Sequence, residues 1–224
     1  MGAFSGVSHF FKRPLYEVAR DLGYGEDNIL ILQGNEYDLS KNFPETYYNM
    51  KNCFHHRDRR TALEYAQDLV ASWLMEDYFL NLLRSDSYEI QLDGADRNRK
   101  ILPSAKTSAS SDFLITRPGF QIKLELMNDY TGFWKENQVL HLRDAKYIQL
   151  QNTHGLFIAI AVPSNEFAIF DFRDTVPARF IPSHRPYGGK SAYELPIPPA
   201  KLKPIADSSM SQAIIDLLGL GIKE

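Results

Sequence analysis

The stretch SDFLITRPGFQIKLELMND, residues 111–129, decides the predicted fold. It contains two short runs rich in aliphatic and aromatic residues, and Arg117-Pro118-Gly119 between them is a turn signal, so we predict a β-hairpin. Successive side chains of a strand point to opposite faces, which places Ile122, Leu124 and Leu126 together. The opposite face is polar apart from one methionine, and its members are Gln121, Lys123, Glu125 and Met127.

Length and composition restrict the class of protein. A chain of 224 residues with 44% hydrophobic content can bury a core of its own and is most simply one compact domain. The net charge of -3 excludes a globally basic protein but not a local basic patch. The single Cys53 excludes an internal disulfide framework and fits a reducing cytoplasm. With no signal-like start and no membrane-length apolar run, we expect a soluble cytoplasmic protein with no membrane partner.

The remaining patterns predict a layered arrangement of helices and strands. Thr61 and Glu64 form a capping box that opens a long amphipathic helix, and Glu76 and Asp77 are interpreted as part of its solvated end. A short helix follows Pro14, NILIL (residues 28–32) reads as a short strand, and residues 33–51 read as a loop with a helical turn. Downstream, the patterns indicate one helix over residues 133–151, apolar strands in GLFIAIAVP and NEFAIFDF, and a closing helix in SQAIIDLLGLG.

This order predicts an α/β or α+β fold with a mixed central sheet flanked by helices. We divide the chain into an N-terminal helical and loop region, residues 1–60, and a core with a C-terminal extension, residues 61–224. The core contains the hairpin and the long helix.

Two carboxylates of the hairpin indicate a metal site. Asp112 begins the first strand and Glu125 lies in the second, so pairing of the two strands brings both to the same end of the sheet. Magnesium prefers oxygen ligands and keeps several waters, so two carboxylates and a substrate phosphate suffice to bind it. Such an ion activates a bound water and stabilises charge on a phosphodiester.

These residues resemble the PD-(D/E)XK nuclease superfamily. Asp112 matches the aspartate of that motif, Glu125 matches the second acid, and Ser111 stands at the position of the proline. The resemblance covers roughly residues 61–172 and implies a restriction-endonuclease-like fold that binds Mg²⁺ through Asp112 and Glu125. Glu64 is a further ligand by the same resemblance, although its place in the capping box also explains it.

The motif departs from the family at Met127, where a catalytic lysine is expected. One explanation is that the chain is an inactivated Lys→Met form. Another is that the lysine role has moved to Lys123 or Lys135. A second alignment of the motif, on Gln121 and Lys123, ranks lower because glutamine is a poor metal ligand.

Clusters of cationic and polar side chains are candidates for DNA binding. KNCFHHRDRR is either a phosphate-binding segment or a solvated turn, and ARFIPSHRPYGGKSAY has the composition of a flexible loop that reaches into a groove. Polar residues on the predicted helix over residues 133–151 are further candidates. The candidates are Lys51, His55, His56, Arg57, Arg59, Arg60, Gln138, His141, Arg143, Arg179, His184, Arg185 and Lys190.

The resemblance implies an Mg²⁺-dependent endodeoxyribonuclease of the size of a type II restriction endonuclease. Such an enzyme acts on double-stranded DNA as a homodimer. A structure-selective resolvase, repair or transposition nuclease would use the same residues. A DNA-binding module that has lost its chemistry is the alternative from a different class. A third alternative is an unrelated α/β protein in which the hairpin pattern is coincidental.

Overall fold

The computed structural model describes residues 2–53, 60–94, 96–103, 111–174, 176–206 and 208–220. Contacts between Cα atoms group the chain into two compact units. The first takes residues 1–79 and 94–110, and the second takes residues 80–93 and 111–224. The predicted division after residue 60 stays a prediction.

The first unit is helical in its described part. Its helices are α1 (Ala3–Phe11), α2 (Leu15–Asp21), α3 (Glu26–Gln33), α4 (Glu36–Asn42), α5 (Pro44–Asn52) and most of α6 (Ala62–Leu83). The short helix after Pro14 is confirmed as α2, and the long helix is confirmed as α6. Its capping box forms as predicted, since the Thr61 N–H donates to Glu64 Oε2 at 2.7 Å and the Glu64 N–H donates to Thr61 Oγ1 at 3.2 Å.

Two predictions in this unit are wrong. NILIL lies in α3 and not in a strand, and its apolar side chains are nearly all buried because the helix is covered on several sides. Residues 33–51 contain α4 and α5 where a loop with a helical turn was expected. Local signals account for both helices: the Asn35 side chain accepts from the Asp38 N–H at the start of α4, and Pro44 is the first residue of α5.

The second unit contains a six-stranded mixed sheet. Its order is β1 (Glu89–Leu92), β2 (Phe113–Arg117), β3 (Phe120–Asp129), β5 (Leu156–Ala161), β6 (Glu166–Asp171) and β9 (Lys203–Pro204). The predicted hairpin is confirmed as β2 and β3, which pair antiparallel, while β3 and β5 pair parallel. The mixed α+β fold class is therefore confirmed.

The region after β3 differs from the sequence prediction. Residues 133–151 form α7 (Phe133–Asn137), the strand β4 (Val139–Arg143) and most of α8 (Asp144–Thr153) instead of one helix. Leu140 and Leu142 are buried while their neighbours are not, which is the alternation of a strand. The apolar spacing that predicted a helix thus arises from a strand followed by a helix.

A second sheet has three strands in the order β4, β8 (Lys190–Pro196) and β7 (Arg179–His184). The predicted flexible loop in ARFIPSHRPYGGKSAY is therefore a β-hairpin, with a 3-10 turn at Arg185–Tyr187. The closing helix is confirmed as α9 (Ser209–Leu218). One apolar cluster joins the two sheets, and its members include Trp134, Leu140, Leu142, Leu150, Phe157, Ala159, Phe170 and Leu195.

Candidate active site

Three carboxylates lie in a row across β1, β2 and β3. Leu92 pairs with Phe113, and Phe113 pairs with Leu124. The next residues along these strands are Asp93, Asp112 and Glu125, and the Asp93 N–H donates to the Asp112 carbonyl at 2.9 Å. Because cross-strand neighbours share a face, these side chains form an acidic row. The predicted pairing of Asp112 with Glu125 is borne out by the register.

Asp93 is the member of the acidic row that the sequence analysis missed. It ends the segment YEIQLD, whose alternating pattern marks a strand that finishes at an acid. Lys123 Nζ lies 3.5 Å from its Oδ2 atom. A signal for Asp93 was therefore present, but the strand itself had not been recognised.

The two predicted metal ligands are held in place by neighbouring groups. Asp112 Oδ2 accepts a hydrogen bond from the Leu126 N–H at 2.7 Å, which fixes this carboxylate against β3. Glu125 is buried, and its Oε1 atom lies 2.6 Å from Lys146 Nζ. An ammonium group therefore reaches the second acid of the motif from another element.

Lys146 and Gln149 lie on the same side of α8, and this side faces the acidic row. Residues three apart on a helix are surface neighbours. Gln149 Nε2 is 3.5 Å from Oγ of the buried Ser111, the residue before Asp112. The helix thus contributes one cation and one amide to the same end of the sheet. Neither residue was predicted, because the family motif was matched only on the hairpin and the positions of α8 that face it cannot be read from spacing.

Met127 has a packing partner in the structure. It lies opposite Ala159 of β5 and packs on the apolar cluster between the two sheets. A thioether suits such an environment because it is unbranched and polarisable. The two lysines proposed to replace it have other carboxylate partners: Lys123 contacts Asp93, and Lys135 Nζ lies 2.7 Å from Glu166 Oε2.

Two buried oxygen atoms near the row lack a hydrogen bond within the described residues, Gln149 Oε1 and Asp93 Oδ2. Asp93 Oδ2 does have an ion-pair contact, since Lys123 Nζ lies 3.5 Å from it. Unsatisfied buried acceptors in native proteins call for an explanation, and hard cations bind carboxylate and amide oxygens. Within the described ranges, however, no group of three or more His, Cys, Asp or Glu residues is placed to hold a metal ion. Magnesium binding by Asp112 and Glu125 therefore stays a prediction.

Glu64 lies in the first unit and is accounted for by its cap. The Thr61 N–H holds the pKa of the Glu64 carboxyl below its usual value. Its part in metal binding stays a prediction.

The predicted DNA-binding residues fall into three groups. His55, His56, Arg57 and Arg59 lie outside the described residues. Lys51 and Arg60 have acidic partners, Glu36 at 2.5 Å and Asp68 at 2.6 Å.

The third group surrounds the three-stranded sheet. Gln138 ends α7 with a positive φ, and His141 and Arg143 lie on β4, so the prediction that these three share a helix is wrong. Arg185 and Lys190 are exposed at the hairpin formed by β7 and β8, beside His184.

Comparisons with protein-family models, with curated proteins and with solved structures each find no match. Among the described residues, no helix is long and apolar enough to cross a bilayer. The resemblance to the PD-(D/E)XK nucleases therefore stays a prediction.

Proposed function

We propose that this protein is a magnesium-dependent nuclease that hydrolyses phosphodiester bonds of DNA. One observation supports this more than any other: Lys146 Nζ lies 2.6 Å from Glu125 Oε1, beside the acidic row. Two neighbouring acids and a lysine are the set that the resemblance requires. The lysine comes from α8 and not from position 127.

Asp112 and Glu125 are the proposed magnesium ligands, with Gln149 Oε1 and Asp93 Oδ2 as nearby oxygens. Magnesium bound there would activate a water molecule and offset charge on the phosphate. Asp112 is well suited to this role because the Leu126 N–H fixes one of its oxygens. Glu125 is already held in its buried position by Lys146.

Lys146 is proposed to act during hydrolysis. The water molecule loses a proton to solvent as its oxygen forms the new P–O bond, one P–O ester bond breaks, and the leaving oxygen takes a proton from solvent. An ammonium group carries three N–H donors. Directed at the attacking water or at a phosphate oxygen, it stabilises the negative charge that develops in the transition state.

The partner and cellular setting follow from the same proposal. Cutting both strands of a duplex calls for two active sites, so we propose a homodimer. The single cysteine fits the reducing cytoplasm. A type II restriction-like activity on linear duplex sites is the first choice, and a resolvase or repair activity would show itself as preference for branched DNA.

The test is cleavage of supercoiled plasmid and of a branched duplex with Mg²⁺. We compare the natural sequence with Asp112→Asn, Lys146→Met and the matched control Lys135→Met, whose lysine pairs with Glu166 on the surface. We expect the natural sequence and the control to cut. Removal of a single charge-stabilising donor typically costs about 10²–10³-fold in rate, and we expect that loss for Lys146→Met.

Two results would count against the proposal. If Lys146→Met cuts as fast as the control, the lysine assignment is wrong. If the natural sequence cuts neither substrate and calorimetry detects no Mg²⁺ binding that depends on Asp112, the protein is not this kind of nuclease.

A further inference from the structure

The three-stranded sheet has one apolar and one polar face. Leu140, Leu142 and Leu195 point into the apolar cluster. Their neighbours along β4 and β8 therefore point away from it, and the register aligns His141 with Glu194 and Glu194 with Arg179. Arg143 and Lys190 follow on the same face. We call this surface the basic face and define it by Arg143, Arg179, Lys190, His141 and Glu194.

Charge is unevenly distributed in this part of the chain. Residues 176–197 contain three arginines or lysines and one glutamate, and Arg143 adds a fourth cation. Even when Asp144 is included, whose Oδ2 accepts from Ser191 of β8, these residues carry an excess of two positive charges, although the whole chain has a net charge of -3. The cations point to solvent, and the Arg179 side chain is 72% exposed. The surface is thus complementary to a polyanion.

Aromatic rings form the floor beneath these cations. The Tyr187 hydroxyl donates to the His141 carbonyl at 2.6 Å, and the Arg143 guanidinium lies 5.7 Å from the Tyr187 ring centre. The His141 and His184 rings are 4.3 Å apart, and His184 lies 4.6 Å from Tyr187. The rings of His141, His184 and Tyr187 are half-buried, whereas Arg143, Arg179 and Lys190 are exposed.

Glu194 positions two of the basic groups. Its Oε1 lies 2.8 Å from Arg179 and its Oε2 lies 3.2 Å from His141 Nε2. One carboxylate therefore holds an arginine and a histidine side by side across the sheet. This keeps the cations ordered without cancelling their excess.

We propose that the basic face binds the phosphate backbone of duplex DNA. The choice of DNA rests on the proposed function, but binding at this face does not require cleavage. Single-stranded DNA binds chiefly where bases stack on open aromatic rings, and here the rings of His141, His184 and Tyr187 contact one another at tilted angles, which leaves them half-buried. A two-stranded ribbon such as β7 and β8 also has dimensions that a major groove admits.

The test measures binding of a short fluorescent duplex by anisotropy over a range of salt concentrations, with EDTA present so that metal and cleavage play no part. The test variant is Arg143→Gln/Arg179→Gln/Lys190→Gln. The matched control is Arg20→Gln/Arg117→Gln/Lys203→Gln, which removes three equally exposed cations elsewhere. Arg179→Gln alone serves as a second variant, and thermal unfolding of each protein confirms that it folds.

We expect the test variant to lose at least about tenfold in affinity and the salt slope to fall by about 3, because about one counterion is released per phosphate contact. The control variant should keep the salt slope of the unmodified protein. The single variant Arg179→Gln should lower that slope by about one. Equal losses in test and control variants, or equal binding of single-stranded DNA through the same residues, would overturn the proposal. Loss of binding in the test variant without any cleavage by the natural sequence would support this face while refuting the nuclease proposal.

Discussion

Arg99 in the first unit and Lys146 in the second both contact carboxylates at close range, but their surroundings differ: Glu76 and Asp77 are half-buried and Glu125 is buried. Arg99 directs Nη1 to Glu76 at 2.6 Å and Nη2 to Asp77 at 2.5 Å, so one cation is held between two acids of α6. Its side chain is only 12% exposed. Burial acts against the charge of Arg99, but the two carboxylates outweigh it and raise its pKa above the ordinary value. Glu76 and Asp77 are thus not a solvated helix end, as the sequence suggested.

Lys146 has a different setting. It contacts Glu125 from α8, and Asp93 and Asp112 lie in the same acidic row. A guanidinium is a planar fork that holds two carboxylates in fixed geometry, whereas an ammonium can rotate its donors among several partners. A short contact distance therefore does not separate a structural ion pair from a functional one. A structural ion pair and a functional one are distinguished by the chemistry of the cation and by the acids that surround it.

Removal of each cation is the strongest test of this contrast. Loss of one partner of a buried ion pair typically costs about 3–5 kcal/mol, so Arg99→Met should lower the free energy of unfolding by that amount. Lys146→Met should lower it by a smaller amount, about 1–3 kcal/mol, because the Lys146 side chain is 28% exposed and solvent reaches part of the charge left on Glu125. Urea unfolding followed by circular dichroism measures both changes.

Arg13→Met is the control for this pair of variants, since Arg13 and Asp21 form an exposed ion pair. Equal destabilisation by Arg99→Met and Lys146→Met would mean that both pairs are structural. The contrast, and with it the proposed role of Lys146, would then fail.

Met127→Lys sharpens the comparison by placing a second ammonium near Glu125. The new charge would enter the apolar cluster at Met127, and we expect about 1–3 kcal/mol of destabilisation and no gain in plasmid cleavage. Met127→Leu, which preserves volume, should cost less than about 1.5 kcal/mol. Cleavage that appears only with Met127→Lys would show instead that the chain is an inactivated form of a lysine-bearing parent.

The sequence predicted the parts of this fold whose signals are local. The β2–β3 hairpin follows from alternation around Pro118-Gly119, and the start of α6 follows from Thr61 and Glu64. Strand β4 was missed because five residues of alternation lie between two helices, and a window of helical length averages over them.

Some residues of the candidate site could be predicted from the sequence and others could not. Asp112 and Glu125 could be paired because they lie on one hairpin, and counting residues gives their register. Lys146 could not be placed, because its position depends on how α8 packs against β3 after an intervening strand. Met127 was noticed as an exception, but its packing partner Ala159 belongs to a strand that is distant in sequence.

The pair of the exposed Arg179 and the half-buried Glu194 gives the smallest expected effect. The Arg179 guanidinium holds the pKa of the Glu194 carboxyl below its ordinary value of 4.5. A carboxyl with a lowered pKa contributes stability above its unfolded pKa and loses it as the pH falls through the folded value. Glu194→Gln should therefore cost about 0.2–1 kcal/mol at neutral pH, and the difference from the natural sequence should vanish in acid. Unfolding experiments along a pH series measure it, and a difference that persists in acid would mean that Glu194 acts through packing and not through its charge.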